Sequence, residues 1–225
     1  DRSFRFTEKN TKTLYTEAQQ LLIAQKLDEI PNSLWHKWLD ITSRPLFLTK
    51  LTKTEQNSWF EISSKIIQHS NYSLLNMWEQ RIAEQPEHIL FQDMGGTQVY
   101  RYTYTQVNQM VREFAAVSHS LEESPRVAIF SANSPESAAT DLACLFYDIY
   151  DTPLNVHFNS DTLLQVFDSV EVNIVVTDNR ERLNKLLKLR ERTKLKFAIF
   201  VFDCSLVQTD ENVFCLPEEE KKFNY

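Results

Sequence analysis

The hydrophobic positions of this chain change period several times, and the changes divide it into elements. Lys12 to Leu27 repeats at helical spacing through Leu14, Ala18, Leu21 and Leu22. Pro31-Asn32-Ser33 interrupts, and Trp35, Trp38 and Leu39 resume the repeat at i, i+3, i+4. Thr52 with Glu55 is a capping-box pattern, predicting a helix with Trp59, Ile62 and Ile66 on one face. Residues 1–70 therefore read as a small helical region. Its tryptophans are read as core packing rather than as a docking or membrane-contact surface, because apolar residues at helical spacing are usually buried.

From residue 71 the pattern becomes mixed. Ser73 caps a helix striped by Leu75, Trp78 and Ile82, which Pro86 ends. His88 to Tyr104 alternates in twos around Met94-Gly95-Gly96-Thr97. That predicts a hairpin with Ile89 and Phe91 on one arm and Val99 and Tyr102 on the other. Thr103 and Gln106 form another capping box, opening a helix with Val107, Val111, Phe114, Ala115 and Leu121 inward. Arg126 to Asp178 then alternates strand, helix, strand, helix, strand. Val127 to Phe130 is a short apolar run, and Asn133-Ser134-Pro135-Glu136 is a helix start with Ala138, Leu142, Leu145 and Phe146 on one face. Thr152-Pro153-Leu154 ends a second extended piece, and Leu163, Leu164 and Phe167 stripe a short helix. Asn173-Ile174-Val175-Val176-Thr177-Asp178 is β-branched and apolar, the composition of a strand buried on both faces. A basic amphipathic helix, Glu181 to Arg192, and a strand, Lys196 to Asp203, follow. The basic face of that helix is read as solvated rather than phosphate-binding, and residues 205–225 as loop and acidic surface. The fold class is α/β: a partial parallel sheet with crossover helices, preceded by the helical region.

Composition changes this picture in three ways. The charge, 24 basic against 31 acidic residues for a net −7, argues against nucleic acid or anionic lipid as the partner. No apolar run approaches the roughly 18 residues of a membrane span, and there is no signal-peptide pattern, so a cytoplasmic location is expected. Three cysteines, Cys144, Cys204 and Cys215, without close pairing, are expected to stay reduced. Glycine is the sharpest signal: there are two, Gly95 and Gly96, where ordinary usage would give about 16. A phosphate-cradling loop needs several glycines so that backbone N–H groups can approach the anion. The chain is accordingly expected to be a fragment without a nucleotide-phosphate site, and the start at Asp1 and stop after Glu-Glu-Lys-Lys-Phe-Asn-Tyr agree with that expectation.

Chemistry-bearing motifs are sparse. HExxH, CxxC, GxSxG and EF-hand patterns are all missing, and the five histidines are scattered. His157 stands apart because it follows Pro153-Leu154-Asn155, where a strand emerges at the carboxyl end of a sheet and where ligands of open α/β sheets bind. A lone loop histidine is nonetheless ordinarily a solvated side chain. No metal site is expected, and a nicotinamide-dependent oxidoreductase is disfavoured because no glycine fingerprint follows the strand ending at Phe130.

Five pieces in order resemble the amino-terminal portion of the AMP-forming adenylating superfamily, which includes acyl-CoA synthetases, luciferases and peptide-synthetase adenylation domains. They are SLLNMWEQRIAEQP from Ser73, YTYTQVNQMVREFAA from Tyr102, RVAIFSANSPESAA from Arg126, DLACLFYDIYDTPLN from Asp141 and DSVEVNIVVTD from Asp168. The wording leans toward long-chain fatty-acid–CoA ligases. Two departures matter: Asp148-Ile149 stands where the family usually has Gly-Ala, and Ser124-Pro125 where it usually has Gly-Asp. The resemblance implies that the full-length enzyme uses ATP and Mg to turn a fatty acid into an acyl-adenylate and passes the acyl group to CoA. It places residues 71–225 in the first part of the adenylate-forming domain, ahead of the phosphate loop, with no catalytic residue in this chain and no cofactor bound by it. By the same resemblance Asn155 and His157 are site candidates on the CoA path. The alternatives are another adenylate-forming ligase, such as an acyl-AMP ligase, and a non-catalytic protein-binding module on a degenerate scaffold.

Overall fold

The computed structural model describes residues 51–70, 73–94, 99–193, 195–207 and 212–217. The helices expected at residues 12–27 and around Trp35 and Trp38, and the hairpin glycines, lie outside these. The chain divides into two compact units, Asp1–Asn76 and Met77–Tyr225. In the first, α1 spans Lys53–Ser70, starting where the Thr52 pattern places it. Helix α2, Leu74–Glu84, is capped as expected: Asn76 donates its N–H to Ser73 Oγ at 3.1 Å.

The second unit takes in α2 from Met77 on and continues with an antiparallel ribbon, β1 (Ile89–Asp93) and β2 (Tyr100–Thr103). Helix α3, Tyr104–Leu121, starts on the complete Thr103–Gln106 capping box. Alternation then builds the sheet: β3 (Arg126–Phe130), α4 (Pro135–Phe146), β4 (Tyr150–Pro153), α5 (Ser160–Val170), β5 (Ile174–Thr177), α6 (Arg180–Arg192), β6 (Ala198–Val201) and β7 (Val213–Cys215). The five strands are all parallel, in the order β4-β3-β5-β6-β7.

The central strands are buried on both faces because helices cover both. On one face Ala128, Phe130, Val175, Ile199 and Val201 pack with Leu163 and Phe167 of α5 and Leu183, Leu186 and Leu189 of α6. The alternate residues Val127, Ile129, Ile174, Val176 and Phe200 are equally buried on the other face. There α3 and α4 pack on each other. The amino-terminal edge is stapled by Asn173. Its Oδ1 accepts the Arg126 N–H at 2.7 Å and its Nδ2 donates to Ser124 O at 3.1 Å. No helix among the described residues is long and apolar enough to cross a membrane.

Four expectations need correction. Residues 213–215 are not loop but a fifth strand, too short for alternation to show, and paired to β6 through Ile199, Phe200 and Val201. Helix α4 does not bury Ala138, Leu142 and Leu145. It buries Ala139, Thr140, Ala143 and Cys144, and Leu145 is 58% exposed. Small residues let α4 approach its neighbours closely, so side-chain size overrode hydrophobicity in choosing the face. Leu121, at the last position of α3, is 44% exposed, beyond the reach of the packed face. Finally, Cys204 and Cys215 are bonded, with Cα atoms 4.8 Å apart, and only Cys144 is free. The pairing follows from β7: placing it beside β6 brings the two residues together.

The turn at Asp148 answers the first departure from the family pattern. Asp148 has φ 55°, in the left-handed region where the family's glycine would sit. The turn is kept, and a short polar side chain that tolerates this region replaces glycine.

Candidate functional site

In an open parallel sheet, ligand crevices form outside the carboxyl ends of two adjacent strands whose connections leave to opposite faces. Here those strands are β3, which leads to α4, and β5, which leads to α6. The sequence that follows each strand, Ser131-Ala132-Asn133-Ser134 and Asp178-Asn179, is polar and rich in capping residues, so both loops turn directly into helix starts.

The crevice is closed by the protein's own groups. Thr177 Oγ1 donates to Phe130 O at 2.9 Å, and the Ala132 N–H donates to Asp178 Oδ2 at 3.0 Å. Asp178 also pairs with Arg182 at 3.3 Å, one turn into α6. Both helix starts are self-capped: the Ser137 N–H donates to Ser134 Oγ at 3.1 Å, and the Arg182 N–H to Asn179 Oδ1 at 2.9 Å. One first-turn N–H of each helix is thus taken up by its own cap. Among the described residues no group of three His, Cys, Asp or Glu side chains could hold a metal ion.

An open space lies along the same edge on the α3/α4 side. A cavity of about 240 Å³ is lined by Met110 and Phe114 of α3, by Glu136, Ala139 and Thr140 of α4, and by Phe202, Leu216 and Pro217 following β6 and β7. Among the described residues its walls are mostly apolar, with Glu136 the one carboxylate. Tyr102 donates its hydroxyl to Glu136 Oε1 at 3.5 Å. Burial first, and the Glu136 charge second, push the Tyr102 phenol above its ordinary range, so it stays a donor.

Asn155 and His157 sit elsewhere, on the loop after the edge strand β4. Asn155 Oδ1 accepts the His157 N–H at 2.9 Å, and its carbonyl accepts the Phe158 N–H at 3.0 Å. Both side chains are exposed, and neither lines the cavity. Asn155 thus has a local turn-forming task. Beneath this loop, Lys185 donates to Phe158 O and lies 5.7 Å from the Phe130 ring centre, which ties α6 to the carboxyl edge.

Two groupings were not visible in the sequence. Asp151 of β4 faces Asp141 of α4, ten residues earlier, and one oxygen, Asp151 Oδ1, is buried without a hydrogen-bond partner. Burial, and then the proton shared with Asp141 and the charge of that residue, push the Asp151 carboxyl up to about 8. Burial, assisted by the same two aspartates, also raises the Cys144 thiol far above its ordinary range, which makes it inert at neutral pH. The second grouping is the Cys204–Cys215 bond, which joins the two segments that follow β6 and precede Leu216.

The model of the AMP-binding enzyme family matches residues 78–221, well over half of the chain. The chain belongs to the AMP-binding enzyme family. Solved structures with the same fold include coronafacic acid ligase from Pectobacterium brasiliense, at TM-score 0.58 and 14% identity over 67% of this chain and 29% of that one. Acetoacetyl-CoA synthetase from Streptomyces lividans superposes at TM-score 0.58 and 16% identity, over 65% of this chain and 24% of its own. A benzoate CoA ligase from Burkholderia xenovorans LB400 gives 0.55 and 12%, over 67% and 28%. This AMP-binding family member spans under a third of the length of each. No curated protein matches it by sequence.

Proposed function

We propose that this chain is the first part of the large domain of a fatty-acid–CoA ligase. Such an enzyme activates a carboxylate as its acyl-adenylate and passes the acyl group to CoA. The observation that carries the reading is the family match over residues 78–221, which supports an adenylate-forming ligase. The fatty acid and CoA rest on the wording of Asp141–Asn155. ATP, magnesium and CoA supply the phosphoryl and thioester chemistry in such enzymes when bound. The described residues contribute the frame: the Thr177–Asp178 clamp fixes the β3 loop, and Glu136, held by Tyr102, gives the edge cavity its one charge. Asn155 and His157 are proposed to line the approach of CoA, as exposed polar groups at the end of β4.

The test uses the natural protein, recovered from its source with an antibody to this chain. Carboxylate-dependent exchange of pyrophosphate into ATP, saturating with long-chain acids and followed by CoA thioester formation, is expected. Exchange without thioester would mean an acyl-AMP ligase. Absence of exchange with every carboxylate tried would leave the non-catalytic module. The 225-residue chain alone is expected to show no saturable ATP binding by calorimetry.

A further inference from the structure

The disulfide sits between two stretches that the cavity uses. Cys204 begins a short 3₁₀ turn two residues after Phe202, and Cys215 ends β7 immediately before Leu216 and Pro217. The two sides of this cross-link are held very differently. On the turn side, Arg180 of α6 donates to Leu206 O at 2.9 Å and to Ser205 O at 3.2 Å, and the Asp203 side chain accepts the Ser205 N–H at 2.9 Å. On the β7 side the strand has three residues, is at the sheet edge, and starts from Asn212 in the left-handed region with φ 64°. β7 is also tied by the Ile199 N–H donating to Asn212 O at 2.9 Å, by Arg190 donating to the same carbonyl at 3.5 Å, and by Phe214 lying 5.5 Å from Phe200, ring centre to ring centre. The two residues also differ in exposure: Cys204 is partly exposed, whereas Cys215 is 3% exposed.

We propose that the Cys204–Cys215 bond is a reducible latch that holds β7, and with it the Leu216–Pro217 wall of the edge cavity. The reductant is a low-molecular-weight thiol. Its thiolate attacks the accessible Cys204 sulfur, the S–S bond breaks, and Cys215 leaves as a thiolate that takes a proton. A second thiol then attacks the mixed disulfide and frees Cys204. Two small thiols are oxidised to their disulfide while one protein disulfide is reduced to two thiols. With the bond gone, the Arg180 anchors keep the turn in place and β7 is the part released. The cavity loses the Leu216–Pro217 wall and keeps Phe202.

Hydrogen–deuterium exchange on the full chain, with and without millimolar glutathione, tests this. Alkylation and intact mass follow the thiols in the same samples. Reduction is expected to add two alkylatable cysteines, 204 and 215. It should speed amide exchange across 212–217 at least about tenfold while 202–207 changes little. The C204S variant should show the fast pattern in both buffers, and its melting temperature should fall by about 5–10 °C. A purely structural bond would resist glutathione in the native protein, and that result would overturn the latch. So would two alkylatable thiols in air-exposed native protein without reductant, or a reduced protein whose 212–217 exchange matches the oxidised one.

Discussion

Asp151→Asn should make this protein more stable at pH 8 and leave it nearly unchanged at pH 5. The argument begins with where the carboxyl sits. Asp151 is on the edge strand β4, partly buried against α4, with one oxygen unpartnered and Asp141 beside it. In the unfolded chain an aspartate titrates near its ordinary value of about 3.9, whereas in the fold burial and Asp141 hold it up to about 8. Between those two values the folded state carries a proton that the unfolded state has lost. Stability therefore falls as pH rises through that window, with a limiting slope of about 1.4 kcal/mol per pH unit. The side chain is not fully enclosed, so water screens much of the penalty, and about 1–2 kcal/mol at pH 8 is the expected remainder. Asparagine has nearly the same shape and no charge to desolvate, and its amide can donate to the Asp141 carboxylate. The measurement is the urea midpoint of wild type and D151N at pH 5, 6.5 and 8. The variant's advantage should grow with pH by the stated amount. Because burial is the leading cause, Asp141→Asn should recover less than D151N does. Parallel midpoints at all three pH values, or a variant losing stability as pH rises, would refute the account of this site.

Other predictions concern backbone and clamp. Asp148 and Glu171 occupy the left-handed region without being glycine, at φ 55° and 54°. Replacing either by glycine should raise stability by about 0.5–1 kcal/mol, read from chemical denaturation. Thr177→Val removes the donor that the buried Phe130 carbonyl accepts, and should cost about 1–2 kcal/mol with the sheet otherwise intact by circular dichroism. Phe167→Ala, at a fully buried position packed edge-on against Phe197, should cost about 3–5 kcal/mol and lower the thermal midpoint accordingly.

Much of the architecture was legible in the chain. The Thr103–Gln106 box, the proline-opened start of α4 and the β-branched run of β5 each encode an element within a few consecutive residues. Local spacing suffices because capping and alternation are short-range. The hairpin arms and the β3–β5 alternation were read correctly for the same reason. Face choice on α4 was not legible, since Ala139 and Ala143 are buried for their small size against a neighbour that periodicity does not describe. The candidate site was less visible still. The sequence marked Asn155 and His157 by their position after β4, but the edge cavity is assembled from α3, α4 and the segments after β6 and β7.

By itself, then, the amino-acid sequence determined the local elements and the burial of the central strands. The tertiary structure decided which residues far apart in the chain meet. It put Cys204 against Cys215 because β7 docks beside β6, set Asp151 facing Asp141 because α4 crosses back over β4, and closed the β3–β5 crevice because Asp178 reaches the Ala132 N–H. The physical reason is common to all three. Capping and alternation are encoded between near neighbours, whereas strand order and helix face are chosen by the packing of the whole sheet.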